Sequence, residues 1–333
     1  MIRLKKQSVI ILLTVLAVSL AISTWFLVET DLREFNRRKV FVMYAGSLLK
    51  TFESALGPSF QKDTGYGYLG EGRGSLQIAN MIIDEQRTPD VFISAGRIPI
   101  LKLIDHNPVL AQWLVKFASA ELVIAYTPNS AFFNSLEKAR KGQLMWYEVL
   151  SNDRFRFGRT DPELDPMGYY TIISAKLANL YYGDQKIKER ILGDDRNPDQ
   201  IFPEEALKTA LESGQIDAAA SYKHEAVARG LLYITLPKEI NLSNLTFSNF
   251  YSQAYYTLRT GQTIYGEPIL FSNTILKTSR NIDESIVFVK FLLSEKGQHL
   301  LKNDGLNPIK PSIEGDFEKV PSVIKSVVAG DQK

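Results

Sequence analysis

The sequence predicts an α/β protein of two lobes, with a mostly parallel sheet flanked by helices. Three observations lead there. The chain has 333 residues, enough for two domains. From residue 40 onward, short apolar runs of strand length alternate with segments of helical period, the order that builds a parallel sheet with helices on both faces. The composition, 45% apolar and 23% charged, is that of a chain with an ordinary buried core.

The N-terminus stands apart from this alternation. Arg3, Lys5 and Lys6 precede a nearly unbroken apolar stretch over residues 9–28, about 20 residues, long enough to cross a bilayer. Basic residues before the stretch predict an internal N-terminus and an exported body. The nearest small-x-small pattern, Ala21-Ile22-Ser23, lies inside the apolar run. Residues 1–30 therefore read as a signal-anchor or a signal peptide, the missing cleavage site favouring the anchor, and residues 31–39 as a charged stalk.

The body then unfolds in order. Residues 40–44 form a strand, 48–62 a helix, 66–69 a strand, 76–84 a helix and 90–95 a buried strand. Residues 122–126 open a second unit, with strands at 155–158, 216–220 and 232–236 around a helix over 169–182. A strand at 268–275 and helices at 283–293 and 294–302 follow. Extended crossings near 121–127 and 253–259 would join two lobes: residues 40–122 with 258–333, and residues 123–257.

Several function classes are excluded early. Cysteine is absent, so disulfides, thiolate metal sites, cysteine nucleophiles and lipidated-cysteine anchors are all impossible. The three histidines, His106, His224 and His299, form no ligand pair. A net charge of +2 without basic stripes gives no surface for nucleic acid. No Gly-x-Ser-x-Gly elbow marks a hydrolase, and the phosphate loop of nucleotide triphosphatases is missing.

Three strand ends carry the functional signal: Ala45-Gly46-Ser47, Gly72-Arg73-Gly74-Ser75 and Ser94-Ala95-Gly96. Ligands of open α/β sheets bind beyond the carboxyl ends of the strands. A helix start there presents unpaired N–H groups and a positive dipole end, and serine either caps it or donates to an oxyanion. In the second unit, Phe157-Gly158-Arg159-Thr160-Asp161-Pro162-Glu163-Leu164-Asp165-Pro166-Met167-Gly168 runs from a strand into a helix. Asp165 is either the N-cap of that helix or a carboxylate facing the pocket. Such a carboxylate is compatible with an oxyanion whose hard, high-valent metal centre accepts further oxygen ligands. Arg159 either adds positive charge or forms an exposed salt bridge.

The stretches YAGSLLKTFE, GEGRGSLQIANMI, PDVFISA, ELVIAYTPNS, WYEVL, RFGRTDPELDPMGYY, YITLPKEINL and SEKGQHLLK, in this order over residues 40–311, resemble the archaeal-type molybdate/tungstate-binding proteins. These are the extracytoplasmic substrate-binding components of ABC transporters. The resemblance implies a two-lobed type II periplasmic-binding-protein fold, no cofactor and no enzymatic activity. It implies as partners a molybdate or tungstate ion and a permease with its ATPase; the N-terminal apolar stretch adds the membrane. The ligand contacts it implies are Gly46 and Ser47, Gly74 and Ser75, and Asp165-Pro166-Met167, with Asp165 as a direct ligand to the molybdenum or tungsten centre.

The family's second carboxylate belongs to a Glu-Tyr pair, and here Ser221 precedes Tyr222. Three readings follow. Ser221 donates to a four-coordinate oxyanion, converging with Ser47 and Ser75. Glu225 reaches the metal from a shifted register. Or the ligand is another tetrahedral anion, sulfate or phosphate. Tyr222 either donates its hydroxyl or fills the core, and Lys223 and His224 read as solvated surface.

Overall fold

The computed structural model describes residues 14–25 and 38–330. Residues 14–25 are helical, and the rest of the anticipated apolar span, with nearly all of the stalk, lies outside the described residues. Among the described residues no helix is long and apolar enough to cross a membrane.

The first sheet begins with β1 (Lys39–Ala45), β2 (Gly67–Arg73) and β3 (Val91–Ser94). β1 pairs in parallel with both others. Parallel neighbours need a crossover. Helical residues 46–64 supply the first, and α1 (Ser75–Ile83) the second. The run 46–64 opens as a tight 3-10 turn at Gly46–Leu48 and widens to a π-helical stretch at Phe52–Leu56. Strand β4 (Trp113–Ser119) completes the first passage through this sheet.

The second sheet contains β5 (Leu122–Tyr126), β6 (Phe157–Thr160), β7 (Ile201–Phe202), β8 (Ala218–Tyr222) and β9 (Leu232–Thr235), in the order β7-β6-β8-β5-β9. Its helices include α2 (Pro166–Tyr182), α3 (Glu204–Glu212) and α4 (Lys223–Arg229). The first ten residues of α2 are buried all round, which is why no polar face is legible in them. A hairpin of β10 (Tyr255–Thr257) and β11 (Thr263–Tyr265) follows.

The chain then re-enters the first sheet as β12 (Leu270–Ile275) and β13 (Asn307–Gly315), giving the order β13-β4-β12-β3-β1-β2. This corrects the expectation of a mostly parallel sheet. β12 is antiparallel to both β3 and β4, and β13 is antiparallel to β4. The reason is topological: β12 arrives from the second lobe, not over a helix on its own sheet. The outgoing and returning segments run side by side. The Ala120 N–H donates to the Ile269 carbonyl at 3.0 Å, and the Ile269 N–H donates to that of Leu242 at 2.8 Å.

Candidate functional site

Two backbone corners of the first lobe face the second. β1 ends at Ala45, whose extended backbone (φ −51°, ψ 128°) turns the chain into the run that starts at Gly46. β2 ends at Arg73, and Gly74 (φ −55°, ψ 131°) turns the chain into α1. These glycines have ordinary negative φ, so close approach explains them and not backbone strain. A Cβ at Gly46 would lie 2.1 Å from Glu204 Oε2. A Cβ at Gly74 would lie 2.7 Å from the Leu164 carbonyl oxygen and 3.3 Å from Asp165 Oδ2. Beside Gly74 the backbones bond directly, the Gln77 N–H donating to that same Leu164 carbonyl at 2.9 Å. At the third corner, Gly96 has φ +82° and a Cβ there would meet the Tyr170 hydroxyl at 2.6 Å.

Asp165 serves as the N-cap of α2, its Oδ1 accepting from the Met167 N–H at 2.6 Å. Pro166 occupies the first helical position, where its missing N–H is no loss. The cap uses one oxygen and Oδ2 lies on the Gly74 side, so capping and facing the cleft are compatible for one carboxyl group. Burial pushes Asp165 up to about 6, while the Met167 N–H and Lys208 pull it down and Glu225 adds to the rise.

The end of β8 and the start of α4 are bonded to each other and to α3. Ser221 Oγ donates to Glu225 Oε2 at 3.1 Å, and Lys208 Nζ, from α3, donates to the same oxygen at 2.7 Å. Both members of this ion pair are buried. Burial alone would raise the Glu225 carboxyl, but Lys208 beside it holds it below the ordinary carboxylate value. Tyr222 is 1% exposed, and burial, reinforced by the Asp165 charge, pushes its hydroxyl well up. Among the described residues, the Tyr222 hydroxyl and Ser47 Oγ have no hydrogen-bond partner. Ser75 Oγ accepts from the Ala95 N–H at 3.1 Å, tying α1 to the end of β3.

Two surface readings are corrected. His224 is 1% exposed, its ring stacked on Tyr222 (5.6 Å, 12°) and edge-on to Phe271 of β12 (5.3 Å, 82°). The polar neighbours of His224 in sequence hide that the other lobe covers α4. Arg159 is fully buried in β6, donating from Nη2 to the Asp195 carbonyl at 2.7 Å. Lys223 is partly exposed and pairs with Glu121 at 3.2 Å.

Between the lobes lies a cavity of about 380 Å³. Gly72, Arg73, Gly74 and Gln77 line one wall, with Thr160, Asp161, Leu164, Asp165 and residues 201–204 on the other. Of the anticipated site residues, Gly74 and Asp165 reach this wall, and Gly46 touches it through Glu204. Ser47, Ser75, Ser221 and Tyr222 are buried and do not line it. Sequence reasoning missed Glu204 and Lys208. Pro203 followed by glutamate is an ordinary helix start, so nothing local marks Glu204 as reaching across the cleft.

A family model of bacterial extracellular solute-binding proteins matches residues 40–307. A molybdate/tungstate-binding protein WtpA of Pyrococcus abyssi is 33% identical over 316 residues, covering 87% of this chain and 90% of the relative. A putative ABC transporter molybdenum-binding protein of Haloferax volcanii is 34% identical over 235 residues, 71% of this chain and 72% of the relative. Among solved structures, the periplasmic molybdate-binding protein of Azotobacter vinelandii superposes with a TM-score of 0.56 at 18% identity, over 80% of this chain and 98% of that one. At that identity the likeness is one of fold, and the fold is the two-lobed type II arrangement.

The geometry makes two predictions. Gly74→Ala drives a methyl group into the Leu164 carbonyl and raises the free energy of the closed arrangement by about 1–3 kcal/mol. Small-angle scattering then shows a larger radius of gyration with an unchanged circular dichroism spectrum; an unchanged radius contradicts the close-approach account. Burial lowers His224 from 6.5 to about 4. A depressed pKa gives stability that is present above pH 6.5 and lost as the pH falls toward 4, up to about 3 kcal/mol. Urea unfolding across this range shows that loss, and His224→Gln removes its share of the slope.

Proposed function

We propose that this chain, which belongs to the family of bacterial extracellular solute-binding proteins, captures molybdate or tungstate between its lobes for an ABC transporter. Membership in the family makes it a transport binding protein and not an enzyme, and gives it an extracytoplasmic location. Residues 40–122 with 258–333 act as one lobe and residues 123–257 as the other. Residues 1–30 anchor the body near its permease and ATPase, which raises its effective concentration there.

The observation that carries the reading is the meeting of three backbone corners at one seam. Gly74 approaches Leu164 and Asp165 at the start of α2, and Gly46 approaches Glu204 at the start of α3. Amide groups and helix starts supply the positive potential that holds an anion. Ser47 and Tyr222 bring buried hydroxyls without partners among the described residues, groups that donate to an oxyanion. Asp165 contributes selectivity. A carboxylate oxygen repels sulfate, whereas molybdenum or tungsten accepts it as an additional hard ligand. Ser221 is already bonded to Glu225, which favours a supporting role for it.

The test is isothermal titration calorimetry of the full-length chain with tungstate, molybdate, sulfate and phosphate in one buffer. Tight binding of the first two without sulfate heat is expected, and tight sulfate binding overturns the ligand assignment. Ser47→Ala weakens tungstate binding by about 1–3 kcal/mol, roughly 5- to 150-fold in Kd, at unchanged stability. Asp165→Asn weakens tungstate binding if the carboxylate ligates the metal centre; a gain of sulfate binding assigns it to repulsion alone.

A further inference from the structure

Lys208 is a buried charge to which the proposed function gives no role. Among the described residues the buried lysine and arginine side chains are Arg159 and Lys208. Arg159 gives its guanidinium to the Asp195 carbonyl. Lys208 lies on α3, one turn beyond Glu204, and α3 packs against β6 and β8. The Lys208 Nζ donates to Glu225 Oε2 at 2.7 Å, and Ser221 Oγ donates to the same oxygen at 3.1 Å. Ser221 directly precedes Tyr222, whose hydroxyl is one of the donors assigned above to the cargo. The other oxygen of Glu225, Oε1, has Arg229 Nε at 3.8 Å, and Arg229 is shared with Glu212 at 3.8 Å.

Burying an ion pair is costly, and apolar residues of similar volume commonly fill such a position as well or better. The pair therefore calls for a reason beyond stability, and its neighbours supply one. Two further carboxyl groups, Asp165 and Glu204, share a side-chain hydrogen bond on the cleft wall. Burial raises the proton affinity of Asp165, Lys208 opposes that rise and Glu225 adds to it, so both charges of the pair are felt at this wall. An unpaired Glu225 would repel an incoming anion, and an unpaired Lys208 would attract one. Bonded, they cancel.

We propose that the Lys208–Glu225 pair fixes the net charge of the oxyanion site and thereby the anion valence it accepts, with Lys208 as a specificity-determining residue that cancels one carboxylate close to the cargo. The inference rests on the proposed function for where the cargo sits. Coulomb energy is proportional to the charge of the ligand. A change of one unit in the charge of the site therefore acts twice as strongly, in free energy, on a dianion as on a monoanion of the same size, and the factor in Kd is squared. A packing defect carries no such dependence and costs both anions the same factor.

The probes are tungstate and perrhenate, tetrahedral oxyanions of nearly equal size that carry two charges and one. Both are titrated by calorimetry into the full-length chain. Lys208→Met keeps the volume and leaves Glu225 with Arg229 alone. It weakens tungstate binding about 100-fold and perrhenate binding about tenfold. Glu225→Gln keeps an oxygen to accept from Lys208 and Ser221 but leaves the ammonium uncancelled. It tightens both anions, tungstate more. The double variant, neutral like the parent pair, recovers most of the tungstate affinity; if Lys208→Met does not fold, Glu225→Gln and the double variant decide. Equal factors for the two anions overturn the proposal, as does an unchanged Kd throughout. So does weaker tungstate binding in both single variants, which would make the pair a structural one. A parent that takes sulfate and not tungstate removes the assignment of cargo alone, and the same comparison is then made with sulfate and perchlorate. A parent that binds none of these anions overturns both readings.

Discussion

The bond from the Gln77 amide to the Leu164 carbonyl forces the backbone of one lobe against that of the other, with only the hydrogen of Gly74 between them. Side chains could not make this contact at the same separation. It sets the depth to which the second lobe sinks into the first, and so determines what else meets at the seam. Asp165 follows Leu164 immediately and is carried to the same glycine. The start of α2 arrives with it, because Asp165 caps that helix. Glu204 then closes on Gly46 as Asp165 closes on Gly74, so two glycine corners each receive one carboxyl group.

That arrangement concentrates negative charge where water is excluded. Asp165 and Glu225 both feel one buried lysine, Lys208, whose ammonium is bonded to Glu225. Burying a carboxylate is costly unless charge or amide groups compensate for it. Here the compensation differs from one carboxyl to the next: an ammonium for Glu225, and a helix-start amide for Asp165. The difference is visible in their proton affinities, which burial raises for Asp165 and the lysine lowers for Glu225. A site assembled in this way discriminates among anions by what each carboxyl group can do with the newcomer's central atom.

Much of this was legible in the sequence, for identifiable reasons. β1 and β5 are apolar runs bounded by turns, and each is observed within a residue of its expected limits. The Gly-Ser corners announced themselves because small residues before a helical period have few other uses. β13 did not, since Pro308 and Pro311 interrupt it; proline is tolerated there because β13 is the edge of its sheet and its register is irregular. β4 was masked by Lys116 amid apolar residues, whose ammonium escapes to Glu314 of β13. His224 reads as surface from its polar neighbours, yet its burial depends on Phe271 of the opposite lobe, which local pattern does not encode. Glu204 belongs to the same class.

The paired connection between the lobes has a mechanical meaning. The outgoing segment at Ala120 and the returning one at Ile269 are bonded to each other, and Ile269 is bonded in turn to Leu242. Two strands of chain laminated in this way resist twisting and sliding and yield chiefly to bending about one axis. The molecule then behaves as a door on a plate hinge and not as two bodies on a tether. Its angular position is a single coordinate. The backbone stop at Gly74 and Leu164 gives that coordinate a fixed end point.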